Sequence, residues 1–411
     1  MKRFLFCLTL AAALACGCSI IEKASGTSSE QEPSWLFTGK GPYTLKTHVR
    51  AVPGPATFKL VKDITILTDS PEVVFESDVT VSTDSTIEVA LGKLAPGFYQ
   101  VRLRDTLQWN IGIRPDAVVS TPDAPGDFDA FWESTLSELA QVPLEPEWKL
   151  IPEYSNDVRQ CFEVRYASLG GALSGGIISI PVAPGRYPVV IHYMGYGAKP
   201  FYYSPSEAPE RIQFLVSVRD QGIFREGQSR WIDRGIESRE DYYYRGAFCD
   251  VKRAVDFIAS LEKADTNRIV ATGISQGGGL STISAALDKR IKAIAIGVPF
   301  LGDYPDYAKI VRWPIHEVME EAGSKGIPLE QLFGMLRYFD AKNFAPRISC
   351  PVFMGFGLQD PVCPPHTNFS IYNNLGTKDK YFLCIPTCDH NIWKEDAWKQ
   401  ECDSFLDKFL K

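Results

Sequence analysis

The sequence predicts an α/β fold, with a mostly parallel sheet covered by helices on both faces, preceded by a small all-β immunoglobulin-like sandwich. Up to about residue 116 the chain holds short strand-like segments separated by turns. From there to the C-terminus, apolar strand-like segments alternate with helical ones, which is the pattern of a parallel sheet with helical crossovers. The length of 411 residues suits one large domain and one smaller one.

The N-terminal segment predicts export. A basic start precedes an apolar run, Phe4 to Ala15, that is too short to span a bilayer. The sequence ALACGCS that ends this region resembles a bacterial lipoprotein signal, with Cys18 favoured over Cys16 as the lipidated residue. We therefore expect residues 1–18 to be a signal peptide and the polar residues 19–34 to be a flexible tether. The expected location is the bacterial cell envelope, as a periplasmic or outer-membrane lipoprotein, with secretion or an ordinary cleaved signal as the alternatives.

Residues 35–116 predict the sandwich. Four segments are rich in β-branched and aromatic residues with partial period-two alternation: TFKLVKDITILT, VVFESDVTV, TIEVAL and YQVRLRDTLQWNIGI. The tryptophans of this region are Trp35 and Trp109, so the sequence indicates no aromatic sugar-binding platform. A spacer or packing role is favoured.

Residues 117–411 predict the α/β domain. It opens with the helical segment FDAFWESTLSELAQV. The strand candidates that follow are YPVVIHYM, FLVSVRD, RIVATGI, IKAIAIGV, PVFMGFG and YFLCIP. Apolar residues recur at helical spacing from Ala247 to Ile258 and from Trp398 to Phe409.

Charge and cysteine content exclude several classes of protein. The net charge of −7 argues against a nucleic acid or an anionic membrane surface as a partner. Three of the ten cysteines lie in the signal region, and the other seven are widely spaced without a C-x-x-C pair. This pattern predicts neither a zinc site nor a disulfide scaffold, but mostly buried thiols. A single disulfide is the alternative.

The sequence GISQGGG, from Gly273 to Gly279, predicts a nucleophilic serine. It directly follows an apolar strand candidate and opens a helical stretch, as a nucleophile on a sharp strand-to-helix turn requires. A G-x-S-x-G sequence alone is weak, and the alternative is a structural glycine-rich turn. The strand-to-helix context favours Ser275 as the nucleophile.

A serine nucleophile needs a base, and the chain has five histidines. In hydrolases with this turn the acid and then the histidine follow the serine along the chain. His48 and His192 precede it, and His192 ends an early strand where oxyanion-hole residues lie. His316 falls in a helical segment and His366 at a helix start. His390, in the loop after the last predicted strand, fits the place of the base.

The acid should follow the strand before that one. The segment PVFMGFGLQD ends in Asp360, which would hold the imidazole tautomer and stabilise the imidazolium. Asp303 and Asp306, after the preceding strand, are rivals. Asp389 is a poorer candidate because the side chains of adjacent residues rarely align for this hydrogen bond.

An oxyanion hole needs two preorganised N–H donors. The residue after the nucleophile, Gln276, supplies one. The loop HYMGYGAKP offers Gly195 and Tyr196 for the other, with a structural turn as the alternative. The cluster of Tyr242, Tyr243 and Tyr244 either lines a sugar-binding mouth or belongs to the core.

From about Pro122 onward, the residues resemble carbohydrate esterase family seven, the acetyl xylan esterases and cephalosporin C deacetylases. The resemblance is carried by DFDAFWESTLSEL, GYGAKP, VRDQG, YYYRGAFCDVKRAVDFI, GISQGGGLS, VPFLGDY, YFDAKNFAPRISCPVFMGFGLQDPVCPP and CDHN. It implies an α/β-hydrolase fold, a Ser275–Asp360–His390 triad, and an oxyanion hole formed by the N–H groups of Tyr196 and Gln276. Tyr196 would also contact the substrate.

Some residues depart from the family pattern. The R-G-Q-G motif reads RDQG from Arg219, the H-G-Y element reads HYMGY from His192, and His390 is followed by Asn391 instead of glutamate. These departures bear on substrate preference more than on chemistry. The resemblance also implies a ring-shaped hexamer with enclosed active sites. Because the additional β-domain can obstruct that assembly, the sequence leaves a homo-oligomer open.

The function that follows is a serine esterase that removes acetyl groups from small acetylated saccharides, without a metal or another cofactor. One alternative is a serine hydrolase of another substrate class, such as a peptidase or a non-carbohydrate esterase, because fold and triad do not decide the substrate. The other is a non-catalytic glycan-binding lipoprotein.

Overall fold

The computed structural model describes residues 35–227 and 230–411. The predicted signal peptide, its candidate lipidation cysteines and the tether lie outside the described residues. The N-terminal β-domain has seven strands: β1 (Leu36–Phe37), β2 (Tyr43–Val49), β3 (Gly54–Lys62), β4 (Val73–Val81), β5 (Ser85–Gly92), β6 (Gly97–Leu103) and β7 (Leu107–Ile113).

These strands form a five-stranded sheet in the order β1-β7-β6-β3-β4 and a two-stranded sheet of β2 and β5. Every second residue of β2 is buried, from Tyr43 to Val49, as expected for a strand with one face on a core. The buried side chains Leu45, Phe58 and Val101 share that core. The small all-β domain agrees with the prediction, although its strands divide five and two, unlike the four and three of an immunoglobulin constant domain.

The rest of the chain forms the α/β domain. Its strands are β8 (Glu147–Leu150), β9 (Arg159–Ala167), β10 (Leu173–Pro181), β11 (Tyr187–Tyr193), β12 (Ile212–Ser217), β13 (Ala264–Ile274), β14 (Ile291–Gly297), β15 (Val352–Gly357) and β16 (Lys380–Ile385). Its helices are α1 (Phe128–Ala140), α2 (Tyr243–Ala259), α3 (Gln276–Leu287), α4 (Tyr304–Ile310), α5 (Ile315–Ser324), α6 (Leu329–Leu336), α7 (Ala341–Phe344), α8 (Pro365–Asn373) and α9 (Asp396–Leu410).

The nine strands form one sheet in the order β16-β15-β14-β13-β11-β12-β10-β9-β8. The six strands from β11 to β16 pair in parallel, whereas β10, β9 and β8 extend one side of the sheet by antiparallel pairing. The strand order reverses at β11, between β12 and β13. Open parallel sheets bind their ligands at the carboxyl ends of the strands beside such a reversal.

Helices cover both faces of this sheet. Consecutive residues of a strand point to opposite faces. On β13, Thr272 Oγ1 lies 3.9 Å from Cys402 Sγ of α9, whereas a side-chain carbon at the next residue, Gly273, would lie 2.4 Å from the backbone of Gly277 in α3. The predicted mostly parallel sheet with helices on both faces is therefore observed.

The cysteines follow the prediction of buried thiols. Among the described residues, Cys161, Cys249, Cys363, Cys388 and Cys402 are buried, and Cys350 and Cys384 are half-buried. None of the helices in these parts of the chain combines the length and the apolar character needed to cross a membrane.

Candidate active site

Ser275 sits on a strained turn between β13 and α3. Its backbone has φ 60° and ψ −123°, a conformation that costs a non-glycine residue free energy and is found mainly at functional positions. The hydrogen bonds from Ser275 N to the carbonyl of Gly297 (2.9 Å) and from Phe300 N to the carbonyl of Ser275 (3.0 Å) hold the turn. The structure thus places the predicted nucleophile at the carboxyl end of β13.

The glycines around Ser275 allow close packing of the backbone. A side-chain carbon at Gly277 would lie 2.1 Å from the carbonyl oxygen of Tyr193 at the end of β11. Any larger residue at this position would push the start of α3 away from β11. The glycine-rich sequence therefore brings the N-terminus of α3 beside the loop that follows β11.

Asp360 lies three residues beyond β15 and is buried. One carboxylate oxygen, Oδ1, accepts hydrogen bonds from the N–H groups of Val362 and Cys363, each at 2.8 Å. Burial raises the pKa of this carboxyl group, and a hydrogen bond with His390 opposes the rise. The second oxygen, Oδ2, is left to contact the histidine.

His390 lies in the loop between β16 and α9, as predicted. Its Nδ1 is 2.8 Å from Asp360 Oδ2. With the carboxylate ionised, Nδ1 carries the proton and donates it in this hydrogen bond. In the neutral ring the opposite nitrogen, Nε2, is then able to accept a proton, which is the arrangement a general base requires.

The other histidines and acids have different partners. His48 Nε2 is 2.7 Å from Asp84 in the β-domain, His316 Nε2 is 3.0 Å from the Ala308 carbonyl, and the His192 ring contacts Phe201. The rival acids are also engaged elsewhere: Asp303 with Lys342 at 3.1 Å, Asp306 with Lys309 at 2.7 Å, and Asp389 with the backbone N–H of Asn391 at 2.8 Å. In the described part of the chain, Asp360 and His390 are the acid–histidine pair that lies beside Cys363, the neighbour of Ser275.

Cys363 is a neighbour of the nucleophile that the sequence did not indicate. Its Sγ lies 4.0 Å from Ser275 Oγ. A carboxylate oxygen of Asp360, the Cys363 sulfur and a ring nitrogen of His390 all lie within 4.8 Å of one another. Burial raises the pKa of the Cys363 thiol well above its ordinary value, so the sulfur stays protonated and is a poor nucleophile. Cys363 belongs to the loop that carries Asp360 (residues 358–364, the acid loop) and contacts Ser275. It therefore places the serine hydroxyl beside the Asp360–His390 pair.

No hydrogen bond of 3.5 Å or shorter joins Ser275 to His390 among the described residues. In serine hydrolases without substrate this bond is often long, and it tightens when substrate binds. The three predicted residues thus lie at one end of the sheet, with the acid–base contact formed.

Two backbone N–H groups near Ser275 have no hydrogen-bond partner among the described residues. In residues 35–227 and 230–411, neither the N–H of Gln276 nor that of Tyr196 donates a hydrogen bond to the protein. Gln276 begins α3, where the N–H groups point out of the helix and favour a negative charge. The two predicted oxyanion-hole donors are therefore available.

A buried amide pair connects these two donors. The side-chain amides of Gln221 and Gln276 exchange two hydrogen bonds of 3.2 Å. Gln221 Oε1 also accepts the N–H of Gly197 at 3.2 Å, next to Tyr196. Gln221 therefore links the loop after β11 to the first residue of α3.

The loop that carries Gln221 is fixed by an ion pair. The Arg219 guanidinium binds both carboxylate oxygens of Asp250, at 2.9 and 2.8 Å. Asp220, which stands where the family has glycine, has φ 63°, and aspartate tolerates this conformation better than most residues. Its exposed carboxylate pairs with Arg234, so this departure leaves the path of the loop intact.

The three consecutive tyrosines belong to the core. Tyr242, Tyr243 and Tyr244 are at most 4% exposed. The Tyr244 hydroxyl donates to Gln276 Oε1 at 2.9 Å, and Gln221 Nε2 donates to the Tyr243 hydroxyl at 3.0 Å. They support the amide pair and do not line a mouth.

Two exposed tryptophans flank the site. The Trp393 ring centroid is 6.1 Å from that of His390, and the Trp313 centroid is 6.5 Å from that of Tyr196. Their exposures of 42% and 49% are high for such large apolar side chains. Isolated tryptophans in loops carry no local motif, so sequence reasoning missed both.

Comparison with known proteins relates this chain to acetyl esterases. Residues 118–406 match the family model described as acetyl xylan esterase (AXE1). The chain is 27% identical over 333 residues to the acetyl esterase Axe7A of Xylanibacter ruminicola, a match that covers 74% of this chain and 73% of that protein.

Solved structures are similar as well. Acetyl xylan esterase 1 from Thermoanaerobacterium sp. superposes with a TM-score of 0.66 at 25% identity, covering 72% of this chain and 98% of that one. The acetyl xylan esterase from Paenibacillus sp. R4 gives a TM-score of 0.66 at 28% identity, with 72% and 99% covered. These likenesses confirm the predicted α/β-hydrolase fold.

Proposed function

This chain belongs to the acetyl xylan esterase family, and from that membership and the site geometry we propose that it is a serine esterase that removes acetyl groups from acetylated xylo-oligosaccharides or similar small saccharides. The observation that carries the proposal is the hydrogen bond between Asp360 and His390 beside Ser275 on its strained turn. This constellation performs acyl transfer.

The reaction has two halves. His390 takes the proton of Ser275 as the serine oxygen attacks the acetyl carbonyl, and the N–H groups of Tyr196 and Gln276 bind the oxyanion. The intermediate collapses, the sugar oxygen leaves with the proton from His390, and an acetyl-serine remains. His390 then takes a proton from water, whose oxygen attacks the acetyl-serine, and returns that proton to the serine oxygen as acetate leaves and free Ser275 is restored.

The exposed tryptophans support a saccharide as the alcohol part of the ester. One face of a sugar ring is apolar, and aromatic side chains beside a few polar groups are typical of small-molecule sites. Trp393 lies next to the base that protonates the leaving alcohol, so it is well placed to contact the leaving sugar. Trp313 lies on the side of Tyr196, which would contact the substrate near its carbonyl.

The test is acetate release from acetylated xylo-oligosaccharides by the wild type and by Ser275→Ala. We expect the variant to lose about a thousandfold or more in kcat, because the covalent step is removed. Unchanged activity would overturn Ser275 as the nucleophile. Hydrolysis of 4-nitrophenyl acetate without acetate release from the saccharides would retain the esterase and reject the substrate class, and cleavage of peptides instead would move the chain to another class of hydrolase.

We propose further that the chain is an exported lipoprotein of the cell envelope, acylated at Cys18. The support is the basic start, the short apolar run and the cysteine that follows it in the sequence. Labelling with a radioactive fatty acid should mark the wild type but not Cys18→Ala. Labelling lost only in Cys16→Ala would move the modification to that residue, and labelling of neither protein would reject lipidation.

A further inference from the structure

The residue before the candidate acid is hydrogen-bonded to the β-domain. Gln359 Oε1 accepts the backbone N–H of Asn110 at 2.7 Å, and Gln359 Nε2 donates to the carbonyl oxygen of Asn110 at 3.1 Å. In return, Asn110 Nδ2 donates to the carbonyl of Leu358 at 3.1 Å. Three hydrogen bonds therefore join strand β7 to the two residues that precede Asp360.

These bonds satisfy backbone groups on the side of β7 where β1 also pairs. Strand β1 pairs with β7 at Gly112 and Ile113, and the N–H of Gly112 donates to the carbonyl of Trp35 at 2.9 Å. In a strand, the N–H groups of residues two apart point to the same side, so the N–H of Asn110 points to the same side of β7 as that of Gly112. The side-chain amide of Gln359 satisfies both the N–H and the carbonyl of Asn110.

The same amide reaches the loop of the candidate base. Gln359 Nε2 donates to the carbonyl of Pro386 at 2.8 Å, and the backbone N–H of Gln359 donates to the carbonyl of Cys388 at 3.0 Å. Both acceptors lie in the short segment between β16 and His390. Gln359, which is part of the acid loop, thus contacts both the β-domain and the loop that carries His390.

A second contact holds the far end of the acid loop. His366, at the start of α8, has Nδ1 3.1 Å from Asp63 of the β-domain and Nε2 3.4 Å from Asp306. The ring of Phe98 in β6 packs against Phe369 of α8, with centroids 5.6 Å apart. The segment from Leu358 to His366, which contains Asp360, is therefore held by the β-domain at both ends.

We propose that the β-domain is a positioning element of the active site, and that Asn110 and Gln359 are positioning residues that fix Asp360 relative to His390. This inference rests on the proposed function, in which Asp360 is the acid of the triad. It gives the β-domain a catalytic purpose beyond the spacer or packing role that its sequence suggests. A displacement of about 1 Å in a catalytic group is enough to lower the rate about a hundredfold, so hydrogen bonds that fix the acid loop bear directly on kcat.

The test uses full-length variants and 4-nitrophenyl acetate, so that it does not depend on the natural saccharide. Gln359→Met keeps the side-chain length but removes its hydrogen bonds. Asn110→Asp keeps the shape but sets a carboxylate against the Leu358 carbonyl. Gln108→Glu is the matched control, because Gln108 is two residues away on β7 and exposed, with one 3.4 Å bond to the Asp105 carbonyl.

We expect kcat to fall about tenfold or more in Gln359→Met and Asn110→Asp, with KM changed less than about twofold and the melting temperature nearly that of the wild type. Gln108→Glu should keep the wild-type kcat. A role in folding alone would instead lower the melting temperature and leave kcat per folded molecule unchanged, and this result would overturn the inference. If Gln359→Met does not fold, Asn110→Asp decides by the same criteria.

Asp360→Asn in the same assay separates this inference from the proposed function. If Asp360→Asn keeps wild-type activity, the triad assignment fails and the positioning role fails with it. If Asp360→Asn is inactive while Asn110→Asp and Gln359→Met keep the wild-type kcat, the triad stands and the positioning role is rejected.

Discussion

Asp360 and His390 are joined by a hydrogen bond of 2.8 Å between Oδ2 and Nδ1, although thirty residues separate them in the chain. The other carboxylate oxygen accepts two backbone N–H groups of its own loop. The carboxylate is thus fixed before any substrate binds, which is the preorganisation that catalytic groups require. The same geometry makes Asp360 the residue whose amide variant is most informative.

Asp360→Asn should lower kcat about ten-thousandfold, with a much smaller change in KM. The amide would donate a hydrogen bond to Nδ1 and so hold the proton on Nε2, where His390 cannot accept a proton from Ser275. Steady-state kinetics with an activated acetate ester measure the effect. Asp389→Asn is the matched control, since Asp389 precedes His390 in the chain but contacts Asn391. The reverse result, an active Asp360→Asn and an inactive Asp389→Asn, would move the acid to Asp389.

Gln221→Leu should lower kcat about tenfold to a hundredfold, because the variant loses the bonds to Gly197 and Gln276 that align both oxyanion donors. Complete removal of one such donor costs about a hundredfold to a thousandfold, and a displaced donor should cost less. The matched control is Asp220→Gly, which changes the adjacent exposed residue to the one that fits its φ of 63° best. Equal rates for Gln221→Leu and the wild type would show that Gly197 and Gln276 hold their positions without the amide pair.

Sequence patterns predicted the parallel half of the sheet better than its antiparallel side. The strands β11, β12, β14 and β15 are mostly apolar runs because both of their faces are buried. In contrast, all four residues of β8 are exposed, and β9 carries Arg159, which is buried and donates to Ser179 and to backbone carbonyls. Such mixed segments have no clear period, and neither β8, β9 nor β10 was among the predicted strands. Strand β2 of the β-domain was also not among the predicted strands, although its buried residues alternate.

The site was predictable where it depends on chain order and was missed where it depends on tertiary contact. Ser275, Asp360 and His390 each follow a strand, and the sequence order of strands gives their end of the sheet. Gln359 and Asn110 are 249 residues apart in the chain, and no local sequence pattern indicates their contact. For the same reason the sequence suggested a spacer role for the β-domain.

Removing either exposed tryptophan should weaken the use of saccharide substrates selectively. Trp313→Ala and Trp393→Ala should raise KM for acetylated xylo-oligosaccharides about tenfold, since each loses roughly 1–2 kcal/mol of apolar contact with a sugar ring. The kinetics with 4-nitrophenyl acetate should change little. Trp148→Ala is the matched control, because Trp148 is 40% exposed but lies on β8 at the far edge of the sheet. A parallel loss on both substrates would indicate damage to His390 or Tyr196 instead of a lost sugar contact.

The buried contact between His366 and Asp63 should stabilise the fold in a pH-dependent way. Burial disfavours the imidazolium, but Asp63 and Asp306 outweigh it and raise the pKa of His366 from 6.5 to about 10. A carboxylate oxygen of Asp303 and one of Asp306 also lie within 4.8 Å of a ring nitrogen of His366. Lys309 contacts Asp306 at 2.7 Å. A group whose pKa is raised on folding contributes its full stability below the unfolded pKa and loses it as the pH rises through the folded pKa.

Asp63→Asn should therefore lower the melting temperature most at pH 6, less at pH 8 and least at pH 10, where the His366 proton is leaving in the wild type too. The expected cost at pH 6 is on the order of 2 kcal/mol, since removing one partner of a buried pair costs about 3–5 kcal/mol and Asp306 remains to share the charge. Thermal unfolding at the three pH values measures it. The matched control is Asp84→Asn, which breaks the exposed pair with His48 in the same domain and should leave the melting temperature nearly unchanged. A loss in Asp63→Asn that is equal at all three pH values would mean that Asp63 acts through packing or its backbone contacts, without the charge of His366.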